Sequence, residues 1–157
     1  MKEAPGDRDK RAAMRFHELA DETQTRALGA ELARSCPPGC VVLLRGPLGA
    51  GKTTLADGFI AALGGKGATS PTFTIAHRHD DARVPLWHLD LYRITDPAAV
   101  DDLDLAQYLP RDGIAVVEWP ERAGDVWPDD RIDVTLTIVG AARRAAVTSF
   151  GRCAENA

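Results

Sequence analysis

The chain has 157 residues, of which 45% are hydrophobic and 27% are charged, and its formal net charge is −4. This composition is typical of one globular domain and excludes a disordered chain. The sequence has no apolar run long enough to cross a bilayer and no apolar signal-peptide core, so we expect a cytoplasmic protein. The negative charge argues against a large nucleic-acid surface, so we expect any RNA to be contacted only indirectly, through a partner.

The first part of the chain predicts a tail, a strand and a helix. Residues 1–13 are charged and lack periodicity, so we expect a flexible tail. Residues 16–19 predict a short edge strand. Asp21, followed three residues later by Gln24, is typical of a helix N-cap, and the apolar spacing predicts a helix from there to about Ser35.

The next stretch carries the strongest motif. An apolar run at 40–44 precedes Arg-Gly-Pro-Leu-Gly-Ala-Gly-Lys-Thr-Thr at 45–54, and a helical pattern follows at 55–63. A glycine-rich loop between a strand and a helix, ending in Gly-Lys-Thr, is typical of a phosphate-binding loop. Lys52 would contact the β and γ phosphates, and the Thr53 hydroxyl would bind a bridging Mg²⁺. The predicted nucleotide contacts in this loop are Gly46, Gly49, Ala50, Gly51, Lys52, Thr53 and Thr54.

Two acidic residues are candidates for the metal. Glu118 follows the apolar run 114–117, which predicts a central parallel strand, and Asp90 lies near the end of a strand predicted at 84–91. Alternation places His88 and Asp90 on the same face of that strand. A phosphate loop with Mg²⁺ needs a nearby carboxylate, so we assign Glu118 and Asp90 as metal ligands. The predicted catalytic residues are Lys52, Asp90 and Glu118. A solvated carboxylate at a strand end is the alternative for each.

Other residues allow two interpretations each. Thr72, in the Ser-Pro-Thr segment 70–72, could sense the γ-phosphate as switch loops do, and an ordinary loop turn is equally compatible with it. Trp119 could stack on the nucleotide base, although packing is the commoner role of such an aromatic ring. The histidines, His77, His79 and His88, lack metal-ligand spacing, so we interpret them as structural.

The rest of the chain completes an α/β fold. Residues 131–139 and 144–150 predict a closing hairpin, so we expect a three-layer P-loop NTPase-like fold with a mostly parallel, mixed central sheet. The predicted domain is 14–151, and 152–157 would be a C-terminal tail. The three cysteines, at 36, 40 and 153, show no metal-type pairing, and we expect idle or buried thiols in a reducing compartment.

Four motifs together resemble the TsaE family, the ATPase subunit of the bacterial machinery that installs threonylcarbamoyl on adenosine of tRNA. They are Gly46–Thr54, Ser70–Phe73, His88–Arg93 and Val117–Arg122. The resemblance implies an enzyme that binds ATP or ADP with Mg²⁺, hydrolyses ATP slowly alone and works with the TsaB and TsaD subunits. It also implies that Trp119 lies near the nucleotide and that Arg143 contacts the region of the base.

Three functions are compatible with these residues. The leading one is a Mg²⁺-dependent ATPase that serves tRNA modification. A P-loop small-molecule kinase is the alternative, although residues 111–113 are too short for the arginine-bearing lid that such kinases use. A nucleotide-sensing adaptor without hydrolysis is the third, and it would bind partners only when Lys52 holds nucleotide.

Overall fold

The structure is a computed structural model that describes residues 11–66 and 75–156. Its strands are β1 Arg15–Leu19, β2 Val41–Arg45, β3 Ala76–Arg78, β4 Leu86–Asp90, β5 Ile114–Glu118, β6 Arg131–Val139 and β7 Ala142–Phe150. Its α-helices are α1 Glu22–Ser35, α2 Lys52–Ala62 and α3 Pro97–Leu103. Three 3₁₀-helices are Leu105–Tyr108, Pro120–Ala123 and Gly151–Asn156. The expected strands, the N-cap at Asp21 and the closing hairpin are therefore confirmed.

The strands form one sheet in the order β1-β7-β6-β2-β5-β4-β3. The central pairs β6–β2, β2–β5 and β5–β4 are parallel, while the outer pairs are antiparallel because β7 and β3 run opposite to the other strands. Parallel neighbours bring their carboxyl ends to the same edge of the sheet. The loop after β2, the end of β4 and the end of β5 therefore meet there, as the sequence predicts.

Helices cover both faces of the sheet, which gives the expected three layers. On one face α1 and α2 pack on the core that includes Leu44, Val116 and Leu136. On the other face α3 and the 3₁₀-helices Leu105–Tyr108 and Pro120–Ala123 cover Leu43, Val117 and their neighbours. The two helices α1 and α2 approach closely because they cross at glycines. A Cβ on Gly29 would lie 2.1 Å from the Leu55 carbonyl oxygen, so this contact fixes the position of α2 and of the loop that precedes it.

The described residues include contacts on either side of the predicted domain 14–151. Residues 1–10 of the expected tail lie outside the described residues, but Arg11 forms a bridge with Phe150 and the Ala12 amide donates to the Ser149 carbonyl at 2.9 Å. The expected C-terminal tail forms the 3₁₀-helix Gly151–Asn156 and packs against the ends of β6 and β7. Across 11–66 and 75–156, no helix has the length and apolarity that a bilayer crossing requires.

The cysteine prediction is wrong for two of the three thiols. Cys40 and Cys153 form a disulfide, with their Cα atoms 6.5 Å apart, across a separation of 113 residues. Their spacing along the chain carries no sign of this pair, because only the folded sheet brings the start of β2 beside the helix that follows β7. Cys36 remains a free and buried thiol, as expected, and burial raises its pKa to about 12.

Candidate functional site

The phosphate loop connects β2 to α2 through backbone that favours glycine. Gly46 has φ 148° and Gly51, the N-cap of α2, has φ 104°. A Cβ on Gly46 would lie 2.6 Å from the Leu136 carbonyl oxygen, so no larger residue fits there without a shift of β6. The Ala50 side chain is fully buried, and its amide donates to the Pro47 carbonyl at 3.1 Å, inside the loop. The loop is therefore a rigid turn that points the N-terminus of α2 at the edge of the sheet.

Lys52 lies folded back over this loop. Its ammonium donates to the carbonyls of Gly46 at 2.5 Å and Pro47 at 2.9 Å, and it lies 4.1 Å from the centre of the Trp119 ring. Burial lowers the pKa of Lys52, while the carboxylates of Glu118, Glu121 and Asp90 act in the opposite direction. A phosphate that entered the loop would compete with these two carbonyls for the ammonium. These contacts keep the lysine beside the place where the motif predicts phosphate.

Glu118 joins the first turn of α2 to β4. Its Oε1 accepts a hydrogen bond from the Thr53 hydroxyl at 2.8 Å, and its Oε2 lies 2.7 Å from Nε2 of His88. Glu118 is 2% exposed and His88 is fully buried, so the carboxylate is not the solvated strand end of the alternative interpretation. A buried carboxylate requires hydrogen-bond donors, and these two side chains supply them. Thr53 and Glu118, the side chains that the sequence assigns to the metal, therefore lie in direct contact.

Asp90 lies on β4 directly opposite Glu118 in the ladder. It is partly buried, and its Oδ1 accepts a hydrogen bond from the Tyr92 amide at 3.0 Å. Burial raises the pKa of Asp90, the nearby Glu118 acts in the same direction, and the Tyr92 amide, His88 and Lys52 oppose it. Asp90 and Glu118 therefore lie side by side at the ends of adjacent strands.

A cavity of about 670 Å³ opens beside these residues. Most predicted site residues line it, namely Gly49, Gly51, Lys52, Thr53, Thr54, Asp90, Glu118, Trp119 and Arg143. Two predicted loop residues, Gly46 and Ala50, lie behind this lining. Thr72 falls outside the described residues. The turn between β1 and α1 supplies a further wall, made of Leu19, Ala20, Asp21, Glu22 and Thr25.

Trp119 and Arg143 hold the loop from opposite sides. Trp119 adopts φ 58°, a left-handed conformation that is uncommon for a bulky residue, and this places its ring against the Lys52 ammonium. The Arg143 guanidinium donates two hydrogen bonds to the Gly49 carbonyl, at 3.2 and 3.1 Å. Arg143 therefore contacts the phosphate loop from the β6–β7 turn.

His88 is the site residue that its spacing along the sequence led us to interpret as structural. The structure shows it fully buried and in contact with Glu118, a contact that the sequence did not predict. The alternation of β4 already puts His88 on the same face as Asp90. Its contact with Glu118 depends on the parallel pairing of β4 with β5, which lies 30 residues further along the chain.

The oxygen groups of this site fit Mg²⁺. The Thr53 hydroxyl and the Glu118 carboxylate lie 2.8 Å apart at the start of α2, and Asp90 faces the same cavity. Within the described parts of the chain, no group of three or more His, Cys, Asp and Glu side chains has the arrangement of a closed metal site. Mg²⁺ commonly takes one or two protein oxygens and completes its shell with water and phosphate. The few oxygen ligands of this site therefore match the number and type that Mg²⁺ takes from a protein.

Comparison with known proteins identifies the family. A family model described as "Threonylcarbamoyl adenosine biosynthesis protein TsaE" matches residues 19–146. The chain belongs to the TsaE family. The TsaE proteins of Bacillus subtilis and of Nostoc are 37% and 41% identical to it, and the alignments cover 74% and 84% of this chain and 73% and 84% of those proteins. Both are described as tRNA threonylcarbamoyladenosine biosynthesis proteins.

A solved structure supports the fold. The crystal structure of YdiB from Bacillus subtilis superimposes with a TM-score of 0.76 at 30% identity, covering 91% of this chain and 90% of that one. The expected P-loop NTPase-like fold is therefore confirmed. The TsaE match runs from Leu19, the last residue of β1, to Ala146 in β7 and so includes every residue that lines the cavity described above.

Proposed function

We propose that this TsaE-family protein is a Mg²⁺-dependent ATPase that works in the cytoplasm with the TsaB and TsaD subunits in the threonylcarbamoyl modification of adenosine in tRNA. The observation that carries the proposal is the pairing of Thr53 with the buried Glu118 beside the phosphate loop. Family membership gives the place in tRNA threonylcarbamoyladenosine biosynthesis, and the residues of the site support the ATPase chemistry. The net charge of −4 supports indirect contact with tRNA, through the partner subunits.

The residues of the cavity divide the work between binding and orientation. The loop amides and the ammonium of Lys52 bind the phosphates of ATP, and Lys52 leaves the carbonyls of Gly46 and Pro47 to do so. Thr53 and Glu118 would hold Mg²⁺, with Asp90 available directly or through water. Bound Mg²⁺ supplies positive charge that stabilises the transferring phosphoryl group.

Glu118 and Asp90 also lie where a water molecule would be oriented toward the phosphate. Both carboxylates end neighbouring strands and face one cavity, so one can hold the metal while the other orients the attacking water. Arg143, the arginine on the cavity wall, is already bound to the Gly49 carbonyl. A slow intrinsic rate, raised by a partner that supplies further positive charge, is consistent with this arrangement.

Nucleotide binding by the purified protein tests the proposal. Titration calorimetry with ATP and with ADP, with and without Mg²⁺, should give tighter binding with the metal for the wild type. Lys52→Ala should lose nucleotide binding while it keeps the fold, which circular dichroism checks. Wild-type protein that takes up no adenine nucleotide with Mg²⁺, alone or with TsaB and TsaD, would contradict the proposal.

The effect of a phosphate acceptor on ADP formation distinguishes the ATPase from the kinase alternative. ATP is incubated with the protein in the absence and the presence of small-molecule acceptors, and ADP formation is followed. We expect the same rate in both cases, because water is the acceptor. A rate that rises with one acceptor, together with its phosphorylated product, would support the kinase instead.

A further inference from the structure

His88 connects strand β4 to the carboxylate that ends β5. In the parallel ladder His88 lies opposite Val116, two residues before Glu118. Side chains two residues apart on a strand share a face, so His88, Asp90 and Glu118 all point toward α2. The buried Leu86 and Val116 belong to the core on the same face. His88 therefore contacts Glu118 from the side of the buried core, while the cavity lies on the other side of the carboxylate.

The two oxygens of Glu118 face different partners. Oε2 lies 2.7 Å from Nε2 of His88, and Oε1 receives the Thr53 hydroxyl at 2.8 Å. A glutamate side chain has three rotatable bonds, and a single hydrogen bond to Thr53 leaves rotation about them. The contact with His88, which is fully buried and cannot move without disturbing the core, fixes the second oxygen. Together the two contacts determine the plane of the carboxylate.

The other ring nitrogen of His88 settles which nitrogen donates. Nδ1 is buried and has no hydrogen-bond partner among the described residues. A proton on Nδ1 would be a buried donor without an acceptor, whereas a proton on Nε2 is donated to Oε2 of Glu118. The hydrogen-bond network therefore assigns the Nε2–H tautomer, with Nε2 as the donor.

We propose that His88 is a positioning residue that holds the Glu118 carboxylate toward Thr53 and so prepares this pair for Mg²⁺. The inference rests on the proposed function, since it concerns the same site. Groups that orient metal ligands without touching the metal commonly change metal affinity by about 10- to 100-fold when they are removed. A histidine that only fills the core would have no such effect.

Two substitutions separate orientation from packing. In His88→Gln the side-chain amide nitrogen reaches the position of Nε2, so a donor to Glu118 is kept. In His88→Asn the amide is shorter and corresponds to Nδ1, so the contact with Glu118 is lost. His79→Asn is the matched control, because His79 is also buried, and among the described residues one of its ring nitrogens has no hydrogen-bond partner and the contacts of Glu118 are with Thr53 and His88 instead.

The readout is calorimetric binding of ADP with and without Mg²⁺. We expect His88→Asn to bind ADP without the metal as the wild type does, and to lose about tenfold or more of the gain in affinity that Mg²⁺ gives. His88→Gln should recover most of that gain, and His79→Asn should keep it. A full Mg²⁺ gain in His88→Asn would overturn the proposal, and so would equal losses in His88→Asn and His88→Gln.

A measurement on the wild type covers the case in which His88→Asn does not fold. Long-range nitrogen–proton correlation spectra of ¹⁵N-histidine-labelled protein report which ring nitrogen of His88 carries the proton. We expect Nε2–H, and a bare Nε2 would overturn the proposal because nothing would then be donated to Glu118. If Mg²⁺ does not raise the ADP affinity of the wild type at all, the proposed function fails. If Mg²⁺ raises the ADP affinity of the wild type and of the His88 variants equally, the proposed function stands and this inference fails.

Discussion

The replacement of Glu118 by two different residues separates its charge from its place in the structure. Glu118→Gln keeps the volume and the hydrogen-bonding plane of the side chain but removes the negative charge. Its amide oxygen can accept from Nε2 of His88, and its amide nitrogen can donate to the Thr53 hydroxyl. Glu118→Ala removes all of these and leaves the buried His88 without an acceptor.

The structure gives different magnitudes for the two variants. An orphaned buried donor costs about 1–3 kcal/mol, so Glu118→Ala should lower the free energy of unfolding by about that amount. For a chain of this size each kcal/mol changes Tm by about 2–4 °C, so its Tm should fall by roughly 2–12 °C. Glu118→Gln orphans no group and should melt within about 2 °C of the wild type. Both variants should lose phosphate release by a factor of about 10² or more, the contribution of one positioned catalytic group.

The assay is phosphate release with saturating ATP and Mg²⁺, paired with thermal melting of the same samples. Glu31→Gln is the control, because it removes an equal charge from an exposed side chain of α1 that does not line the cavity. We expect this control to hydrolyse ATP as the wild type does. Phosphate release at the wild-type rate by Glu118→Gln would remove Glu118 from the catalytic site.

Individual contacts lead to three further predictions. Thiol titration of the denatured, unreduced protein should find only Cys36, because Cys40 and Cys153 are bonded, and three reactive thiols would contradict this. Reduction should lower Tm by roughly 5–15 °C, since a disulfide that closes a loop of 113 residues contributes about 2–5 kcal/mol to the free energy of unfolding. Arg143→Ala should weaken ATP binding by about fivefold to a hundredfold in calorimetry, because two hydrogen bonds to the loop carbonyl are lost, each worth about 0.5–1.5 kcal/mol. Unchanged affinity would show that the loop does not need this contact. Burial lowers the pKa of His79 below its ordinary 6.5, so as the pH drops the unfolded chain takes up the proton before the folded chain does, and the free energy of unfolding should fall below about pH 6.5. Between pH 7.5 and 5 the Tm of His79→Gln should fall less steeply than that of the wild type, and equal slopes would contradict the assignment.

The sequence was sufficient to predict the elements that carry local signals. The loop before α2, the apolar run that ends in Glu118 and the N-cap at Asp21 each depend on residues within a few positions of one another. The need of a phosphate loop with Mg²⁺ for a nearby carboxylate then selected Asp90 and Glu118 without any coordinates. These predictions required only short-range sequence signals and the chemistry of the loop.

The remaining features depend on contacts between distant parts of the chain. The disulfide joins cysteines 113 residues apart, and the contact between His88 and Glu118 spans 30 residues and requires β4 to neighbour β5. The folded-back position of Lys52 also depends on Trp119, whose left-handed conformation no residue type in the motif predicts. Topology and backbone strain are not encoded locally in a single sequence, and these features could not be predicted for that reason.

The ATPase assignment is tested most simply by phosphate release from ATP and Mg²⁺ by the wild-type protein, measured alone and with purified TsaB and TsaD. We predict a slow rate for the protein alone, a higher rate with both subunits, and none for Lys52→Ala under either condition. Wild-type protein that releases no phosphate with both subunits present, although it binds ATP, would contradict the ATPase assignment and favour a nucleotide-sensing adaptor.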